Sequence, residues 1–351
     1  MVKPELSQKS NMHSVTIRDV ARQAGVGLGT VSRVINNSPH VSETTRIRVL
    51  DTIRSLQYFP NPTARRLSLG KTLTVAVMAP FFTRPAFIER LRGIESSLVE
   101  SEYDLILFNI ETVKRRDECM RDLPRGDKVD GLIIISLSPS DEDIPILAEP
   151  TIPIVLVDAS HPHLSFLSRV IVDDVEGGFK ATQHLIDLGH RKIGYISDWL
   201  ESPFNFISSR DRYQGYRQAL AAAGLPFLQE YHRQGEHGRQ QAQLLASEML
   251  ALPDPPTAIF AASDTQAMGT LTAAHLAGLK VPGDLSVIGY DDIEIAEYLG
   301  LTTIRQMLQE SGRRGVELLL DILAGEQDQP VCEILPTELI VRQTTAAPAT
   351  S

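Results

Sequence analysis

The sequence has little with which to staple, anchor or catalyse. Its 351 residues include two cysteines, Cys119 and Cys332, far apart and without a neighbouring ligand pattern. That excludes a disulfide framework and leaves two reduced thiols of a cytoplasmic protein. No run approaches the roughly 20 apolar residues that span a bilayer. The opening MVKPELSQKSNMHSV is polar and has no apolar core, so it reads as neither signal peptide nor membrane anchor. There is no nucleophile elbow, zinc spacing or phosphate loop, and Gly177-Gly178 lacks the G-x-G-x-x-G spacing of a nucleotide site. His184, His190 and His275 do not form a metal set. No enzyme, cofactor or metal is expected. The tail TTAAPATS has no apolar heptads, so no tetramerising coiled coil is expected there. Residues 1–13 and 343–351 are expected to be disordered.

What is present is an apolar fraction of 42%, enough for a large core, and a marked asymmetry of charge. Residues 1–71 hold 11 Lys+Arg and 4 Asp+Glu, a net of +7, whereas the other 280 hold 23 and 40, a net of −17. A basic head on an acidic body is the footprint of phosphate binding confined to one end. Within that head, Thr16 can cap a helix over 17–24, with Ile17, Val20, Ala21 and Ala24 on one apolar face. Gly25 suits a sharp turn. A second helix is expected over about 28–35, with Val31, Val34 and Ile35 inward and Leu28, Gly29, Ser32, Arg33 and Asn36 outward. Ser42 can cap a third, over about 43–57, with Ile47, Leu50, Ile53 and Leu56 on one side. Any small three-helix bundle shares this pattern. With the basic charge it matches the helix-turn-helix plan, whose second helix lies in the major groove.

The motifs DVARQAGV, TVSRVIN, VSETTRIRV, Tyr58 with Pro60-Asn61, and Ala64-Arg65-Arg66-Leu67 resemble the head and hinge of the lactose-repressor (LacI/GalR) family of bacterial transcription regulators. The resemblance continues to about Arg342. It implies a helix-turn-helix domain over 14–59, a hinge over 60–71 and a body over 72–342 that senses a ligand and dimerises. Asn61 and Pro62 start a short hinge helix and Gly70 stops it. Alone it is too short to be stable, and a flexible linker is the plainer reading. The resemblance implies that it forms on DNA, with Asn61, Ala64 and Arg65 at the duplex and Leu67 wedged between base pairs in the minor groove. In the recognition helix, Gly27 stands where the family usually has serine. Leu28 offers apolar contact, Gly29 almost none, and Arg33 can grip a guanine edge. Thr16, Thr30, Ser32 and Asn36 are expected at phosphates.

In the body, apolar runs of strand length (73–79, 104–109, 131–135, 154–157, 170–172, 192–196, 229–232, 258–261, 285–288) alternate with helical patterns (86–102, 115–123, 175–188, 209–223, 238–250, 264–277, 307–324). That is the pattern of parallel α/β sheets. There are too many strands for one sheet, so two Rossmann-like lobes are expected, as in periplasmic binding proteins. Lobe 1 would hold about 72–172 plus 307–326, and lobe 2 about 173–290 plus 330–342. Ligands bind beyond the carboxyl ends of such strands. The resemblance adds Arg212, in Arg212-x-x-Gly215-Tyr216. Its guanidinium can hold vicinal hydroxyls, a carboxylate or a phosphate, or merely pair with Asp211 or Glu201 on the helix surface. Ser263 and Asp291 are expected ligand contacts. Asp264 reads equally as contact or helix cap, Phe87 as stacking ring or core, and Trp199 as sugar platform or loop anchor. Asn109 and Asp158 end strands, and Asp292 is expected to tie the hinge. The implied protein is a homodimeric repressor on operator double-stranded DNA, controlled by a sugar or sugar derivative. A protein or phosphometabolite co-regulator is the alternative, and a solute-binding protein would leave the basic head unused.

Overall fold

The computed structural model describes residues 15–59, 66, 70–126 and 128–349, in two compact units that divide at Thr72 and Leu73. The head unit has α1 (Ile17–Ala24), α2 (Leu28–Ile35) and α3 (Glu43–Ser55). The start of α1 is held by Asp19, whose carboxylate accepts from the Thr16 amide at 3.0 Å and hydroxyl at 2.7 Å. The Thr16 side chain in turn accepts from the Asp19 amide, so the two residues close a capping box, as expected of a capping threonine. Gly25 ends α1 at φ +64°, the left-handed region that favours glycine. Val20, Ala21, Ala24, Val31, Val34 and Val49 form the core. The expected inner face of α3 is corrected here. Ile47 and Leu50 are 52% and 36% exposed, and Val49, Thr52, Ile53 and Leu56 turn inward instead. Val49, Ile53 and Leu56 follow the i, i+4, i+7 track, which stays on one side of a 3.6-residue helix.

The body begins with β1 (Thr74–Pro80), α4 (Pro85–Leu98), β2 (Asp104–Ile110), α5 (Val113–Asp122), β3 (Gly131–Ile135), α6 (Ile144–Ala148), β4 (Ile154–Val157) and β5 (Ser168–Val172). It then crosses over to α7 (Asp174–Asp187), β6 (Ile193–Asp198), α8 (Ile207–Ala222), β7 (His232–Gly235), α9 (Arg239–Leu250), β8 (Ala258–Ala261), α10 (Asp264–Leu276), β9 (Ser286–Asp291), α11 (Glu294–Tyr298) and β10 (Thr302–Arg305). It returns with α12 (Leu308–Ala324) and β11 (Cys332–Leu335) and crosses once more to β12 (Glu338–Ile340). Two six-stranded sheets result, in the orders β11-β5-β4-β3-β1-β2 and β12-β10-β9-β8-β6-β7. The recorded pairings are parallel except β10 with β12. Every residue of β1, β3 and β4 is buried, as strands covered by helices on both faces must be.

Two parallel α/β lobes are what the alternating pattern predicts. The allocation of segments differs. Residues 332–335, expected in lobe 2, pair with β5 in lobe 1, and β10, beyond the expected limit at 290, belongs to lobe 2. Neither TTIR nor CEIL is the apolar run that marks a buried strand. The tail is also corrected. Residues 343–346, expected to be disordered, are bound to lobe 2. Val287 donates its amide to the Thr344 carbonyl at 2.8 Å, and Gln343 donates its own to Gly300 at 2.7 Å. His190, read as structural, fastens the same segment, its ring nitrogens lying 2.9 Å from Thr257 Oγ1, 3.0 Å from Ser286 Oγ and 2.9 Å from the Ala346 carbonyl. Among the described residues no helix is long and apolar enough to cross a membrane.

Three histidines of lobe 2 resist protonation. Burial lowers His184 and His190, and burial with Arg217 and Arg233 nearby takes His232 down to about 4 from the usual 6.5. As pH falls below 6.5 the unfolded chain takes up these protons before the folded one does. The stability they confer is therefore full above 6.5 and drains as pH falls toward 4. Melting temperatures taken at steps from pH 7.5 to pH 4.5 should fall less steeply for His232→Gln than for the wild type. Parallel curves would refute the assignment to His232.

Candidate functional site

Two sites emerge, one in each unit. On α2, Leu28 is 45% exposed, Gly29, Arg33 and Asn36 are exposed, and Thr30 and Ser32 are half-buried. Arg33 makes no hydrogen bond or ion pair with the described residues, so its fork is available to a base edge. Arg46 of α3 steadies the far end of α2, donating to Asn37 Oδ1 at 2.9 Å and to the Ser38 carbonyl at 2.5 Å. A Cβ built on Gly29 meets only the Arg33 side chain, at 3.9 Å, so no packing requires glycine there. Asn61, Ala64, Arg65 and Leu67 lie outside the described residues.

The second site lies between the two lobes, at the carboxyl ends of the strands. An inner chamber of about 70 Å³ is walled by Phe87, Arg90, Ser136 and Asp158 of lobe 1 and by Asp198, Arg212, Ser263 and Asp291 of lobe 2. Its floor is built by two pairs of closely packed helices. A Cβ on Gly215 of α8 would come within 2.1 Å of the Val175 carbonyl, and one on Gly178 of α7 within 2.3 Å of the Arg212 carbonyl. Glycine at both places lets α7 and α8 touch, which sets Asp174 beside Arg212. Lobe 1 repeats the device, with Gly93 on Gln309 and Gly312 on Arg90, at 1.9 and 2.0 Å.

Arg212 is buried, and its partner is Asp174 rather than Asp211 or Glu201. Its Nε donates to Asp174 Oδ1 at 2.8 Å and its Nη1 to the Ala262 carbonyl at 2.8 Å, while Asp291 Oδ1 lies 3.5 Å from Nη1. The guanidinium also lies 3.8 Å over the Tyr290 ring. Three interactions therefore hold Nε and Nη1, and among the described residues no partner takes Nη2. Arg90 donates to Gln306 Oε1 at 2.9 Å and lies 3.0 Å from Asp158, which also accepts from Ser136 Oγ at 2.6 Å. Gln306 in turn donates to Asp291. Burial, opposed by Arg212 and Arg90, pushes Asp291 up to about 6. Burial also raises Asp198, but the hydrogen bond from His237, 3.1 Å away, together with the charges of His237, Arg84 and Arg212 holds it below its ordinary value.

Of the residues expected at the ligand, Phe87, Asp158, Arg212, Ser263 and Asp291 line the inner chamber. Phe87 also belongs to the lobe 1 core. Ser263 caps α10, accepting from the Gln266 amide at 3.2 Å. Asp264 does not reach the chamber. It accepts from Thr303 Oγ1 at 2.5 Å and from the Ile293 amide at 2.9 Å, a structural role. Asn109 is likewise elsewhere, its side chain bound to Phe82 N and Glu111 at the end of the edge strand β2. Trp199 lines a second, outer chamber. Asp292 ties the crossover, binding Arg305 and Arg342 at 2.8 and 2.7 Å. Arg90, Asp174, Asp198, His237 and Gln306 were not anticipated. Asp174 and Asp198 obey the strand-end rule that found Asp158, and Arg90 lies one helical turn beyond Phe87. Among the described residues no group of His, Cys, Asp or Glu is placed to hold a metal ion.

Comparison with known proteins agrees with both units. The family described as bacterial regulatory proteins of the lacI family matches residues 16–61, and that of periplasmic binding protein-like domains matches residues 182–345. The chain is 34% identical over 334 residues to catabolite control protein A of Priestia megaterium, covering 95% of this chain and 99% of the relative. It is 36% identical over 333 residues to the HTH-type transcriptional repressor PurR of Vibrio campbellii, covering 94% and 98%. The lac repressor dimer bound to operator and the anti-inducer ONPF superposes with a TM-score of 0.83 at 30% identity, covering 95% of this chain and 99% of that one. A complex of the transcriptional regulator CelR with cellobiose gives 0.69 at 34%, covering 94% and 99%.

The glycine contacts beneath Arg212 are directly testable. Gly215→Ala forces α7 off α8 and should cost about 1–3 kcal/mol, the usual penalty of overpacking. A melt that matches the wild type would show that the helices do not depend on this contact. The opposite sign is expected at Gly29→Ala, where open space and helix propensity together should stabilise the head by about 1 kcal/mol.

Proposed function

The chain belongs to the LacI family of bacterial regulatory proteins, a helix-turn-helix transcription regulator rather than an enzyme, and on that premise we propose that it is a cytoplasmic repressor released from or recruited to operator DNA by a sugar or sugar derivative bound between its lobes. The carrying observation is the inner chamber. An arginine whose Nη2 has no partner among the described residues lines a small space together with Asp198, Asp291 and Ser263. Carboxylates accept several hydrogen bonds, and an arginine fork spans neighbouring hydroxyls, so together they suit a polyhydroxylated ring. A phosphate dianion fits less well, because Asp158, Asp198 and Asp291 all line the same walls. The structures of CelR with cellobiose and of the lac repressor with ONPF support this reading, and the relatives named PurR support repression.

A homodimer follows from the same reading. The lac repressor structure is a dimer on its operator, and two heads read two half-sites. The body of this chain exposes Ile88, Ile295 and Tyr298 around one groove, with Tyr298 81% exposed, apolar surface that a second copy would cover. On DNA, Leu28 supplies apolar contact, Arg33 a guanine contact, and Thr16, Thr30, Ser32 and Asn36 phosphate contacts. In the hinge, Leu67 wedges into the minor groove, Arg65 sits near phosphates, and Asn61 and Ala64 lie at the duplex.

Two measurements test the proposal. In a thermal-shift screen of sugars, sugar phosphates and nucleobases, a sugar should raise the melting temperature. Saturation with that sugar should then change operator affinity about 5–150-fold, with operator changing sugar affinity by the same factor. An operator affinity indifferent to a ligand that binds the body would sink the proposal. Arg33→Ala should lose about 1–3 kcal/mol of discrimination, concentrated at one base pair of each half-site. A uniform loss across all operator variants would instead make Arg33 a phosphate contact.

A further inference from the structure

The inner chamber is too small to hold the whole of a ligand. Binding pockets usually enclose about 300–1,000 Å³, and the inner chamber offers about 70 Å³. It opens through a neck formed by Arg84, Asp198, Phe206 and His237 into an outer chamber of about 390 Å³. The chemistry changes across that neck. The outer walls are aromatic, formed by Phe81, Trp199, Phe204 and Phe206. Phe204 and Phe206 stack at 5.6 Å with 15° between their planes, and Phe81 meets Phe204 edge-on at 5.3 Å. Trp199 is 51% exposed, and the Arg84 guanidinium caps Phe81 at 4.1 Å.

This wall is built rather than incidental. The segment that carries Trp199, Phe204 and Phe206 joins β6 to α8 in lobe 2, yet Asn205 reaches across to lobe 1, donating to the Ser138 and Pro139 carbonyls at 3.1 and 3.3 Å. Asn205 and Phe81 hold positive φ, +55° and +44°, backbone strain of about 1–3 kcal/mol each that the surrounding contacts must offset. Phe204 and Phe206 also pack against the lobe 1 core, whereas a ligand confined to the inner chamber would leave the Trp199 ring half exposed to water.

Resting on the sugar reading of the cleft, we propose that the effector is a two-ring glycoside. One ring presents its hydroxyls through the neck to Arg212, Asp198 and Asp291. The second lies with its flat apolar face on the wall of Trp199, Phe204 and Phe206, which aromatic contact rewards beyond simple burial. Arg84 and His237, at the neck, face the linkage between the rings.

Trp199 is the only tryptophan in the chain, so its fluorescence reports on the outer chamber alone. The full-length protein is titrated with glucose, galactose, cellobiose, lactose, maltose and the p-nitrophenyl glycosides of the two monosaccharides, by calorimetry and by tryptophan emission. One of the two-ring compounds should bind at least about tenfold more tightly than its single-ring component and shift the emission. Trp199→Ala should lose that advantage while leaving single-ring affinity in place, and Trp199→Phe should restore part of it. A nitrophenyl glycoside that equals the disaccharide shows that the second ring is read as a flat surface, and a disaccharide that exceeds it shows that hydroxyls are read too. Both outcomes sustain the two-ring effector. Equal affinity for one and two rings, or a Trp199→Ala protein that keeps the full advantage, overturns it and leaves the sugar reading standing. Failure of every sugar at millimolar concentration overturns both.

Discussion

Two arginines buried beneath the cleft, Arg90 at 2% and Arg212 at 7% exposure, dictate much of what surrounds them. A charge removed from water is tolerable only when it is paired and hydrogen-bonded. Asp158 therefore ends β4 within reach of Arg90, and Asp174 opens α7 within reach of Arg212. The glycines at the helix crossings follow from the same need, because without their close approach the partners would stand too far apart. Gln306 joins the two arginine sites through Asp291. The result is one path of hydrogen bonds and ion pairs, Asp158–Arg90–Gln306–Asp291–Arg212–Asp174, that starts in lobe 1 and ends in lobe 2.

Gln306 lies on the second crossover between the lobes, immediately before Met307, which sits at φ +54°. Rotation of one lobe against the other must pass through this residue. Ser136, Asp158, Asp291 and Asp292 also hold positive φ, at +54°, +53°, +113° and +54°. Strain of this kind persists only where the neighbours overdetermine it, and it gathers where a structure positions ligands or moves. A ligand that engages Arg212 and Asp291 acts on the same atoms that couple the lobes. Binding and lobe movement then share one set of polar contacts, and no separate relay is required.

The head was legible almost residue by residue, because its signals are local: a capping threonine, a turn glycine and apolar residues at helical spacing. The lapse at α3 came from following steps of three through Ile47 and Leu50 where the helix buries Val49. In the body, order and type of element were legible from apolar runs, and the strand-end rule found Asp158, Ser263 and Asp291. It failed for Asn109 because the rule does not say which strand is central, and β2 proved to be an edge. It passed over Gln306 because β10 does not look like a strand. Thr302 and Thr303 are fully buried there, satisfied by hydrogen bonds to the tail and to Asp264 rather than by apolar packing. Crossovers bring together residues more than a hundred positions apart, such as Arg90 and Gln306, and no local pattern announces such a pair.

The interleaving of the lobes has a consequence for the order of events on the ribosome. The three helices of the head need nothing beyond Tyr58 to close their core. Lobe 1 is incomplete until α12 and β11 exist, about 280 residues later. At roughly 5–20 residues per second, that gap is about 15–55 s. Throughout it a finished DNA-reading head is tethered to an unfinished sensor. The net charge of +7 over residues 1–71 attracts phosphates without help from the body, so the nascent chain has the means to touch DNA before it can respond to any signal. In the proposed homodimer an operator is held by two heads, and a nascent chain brings only one.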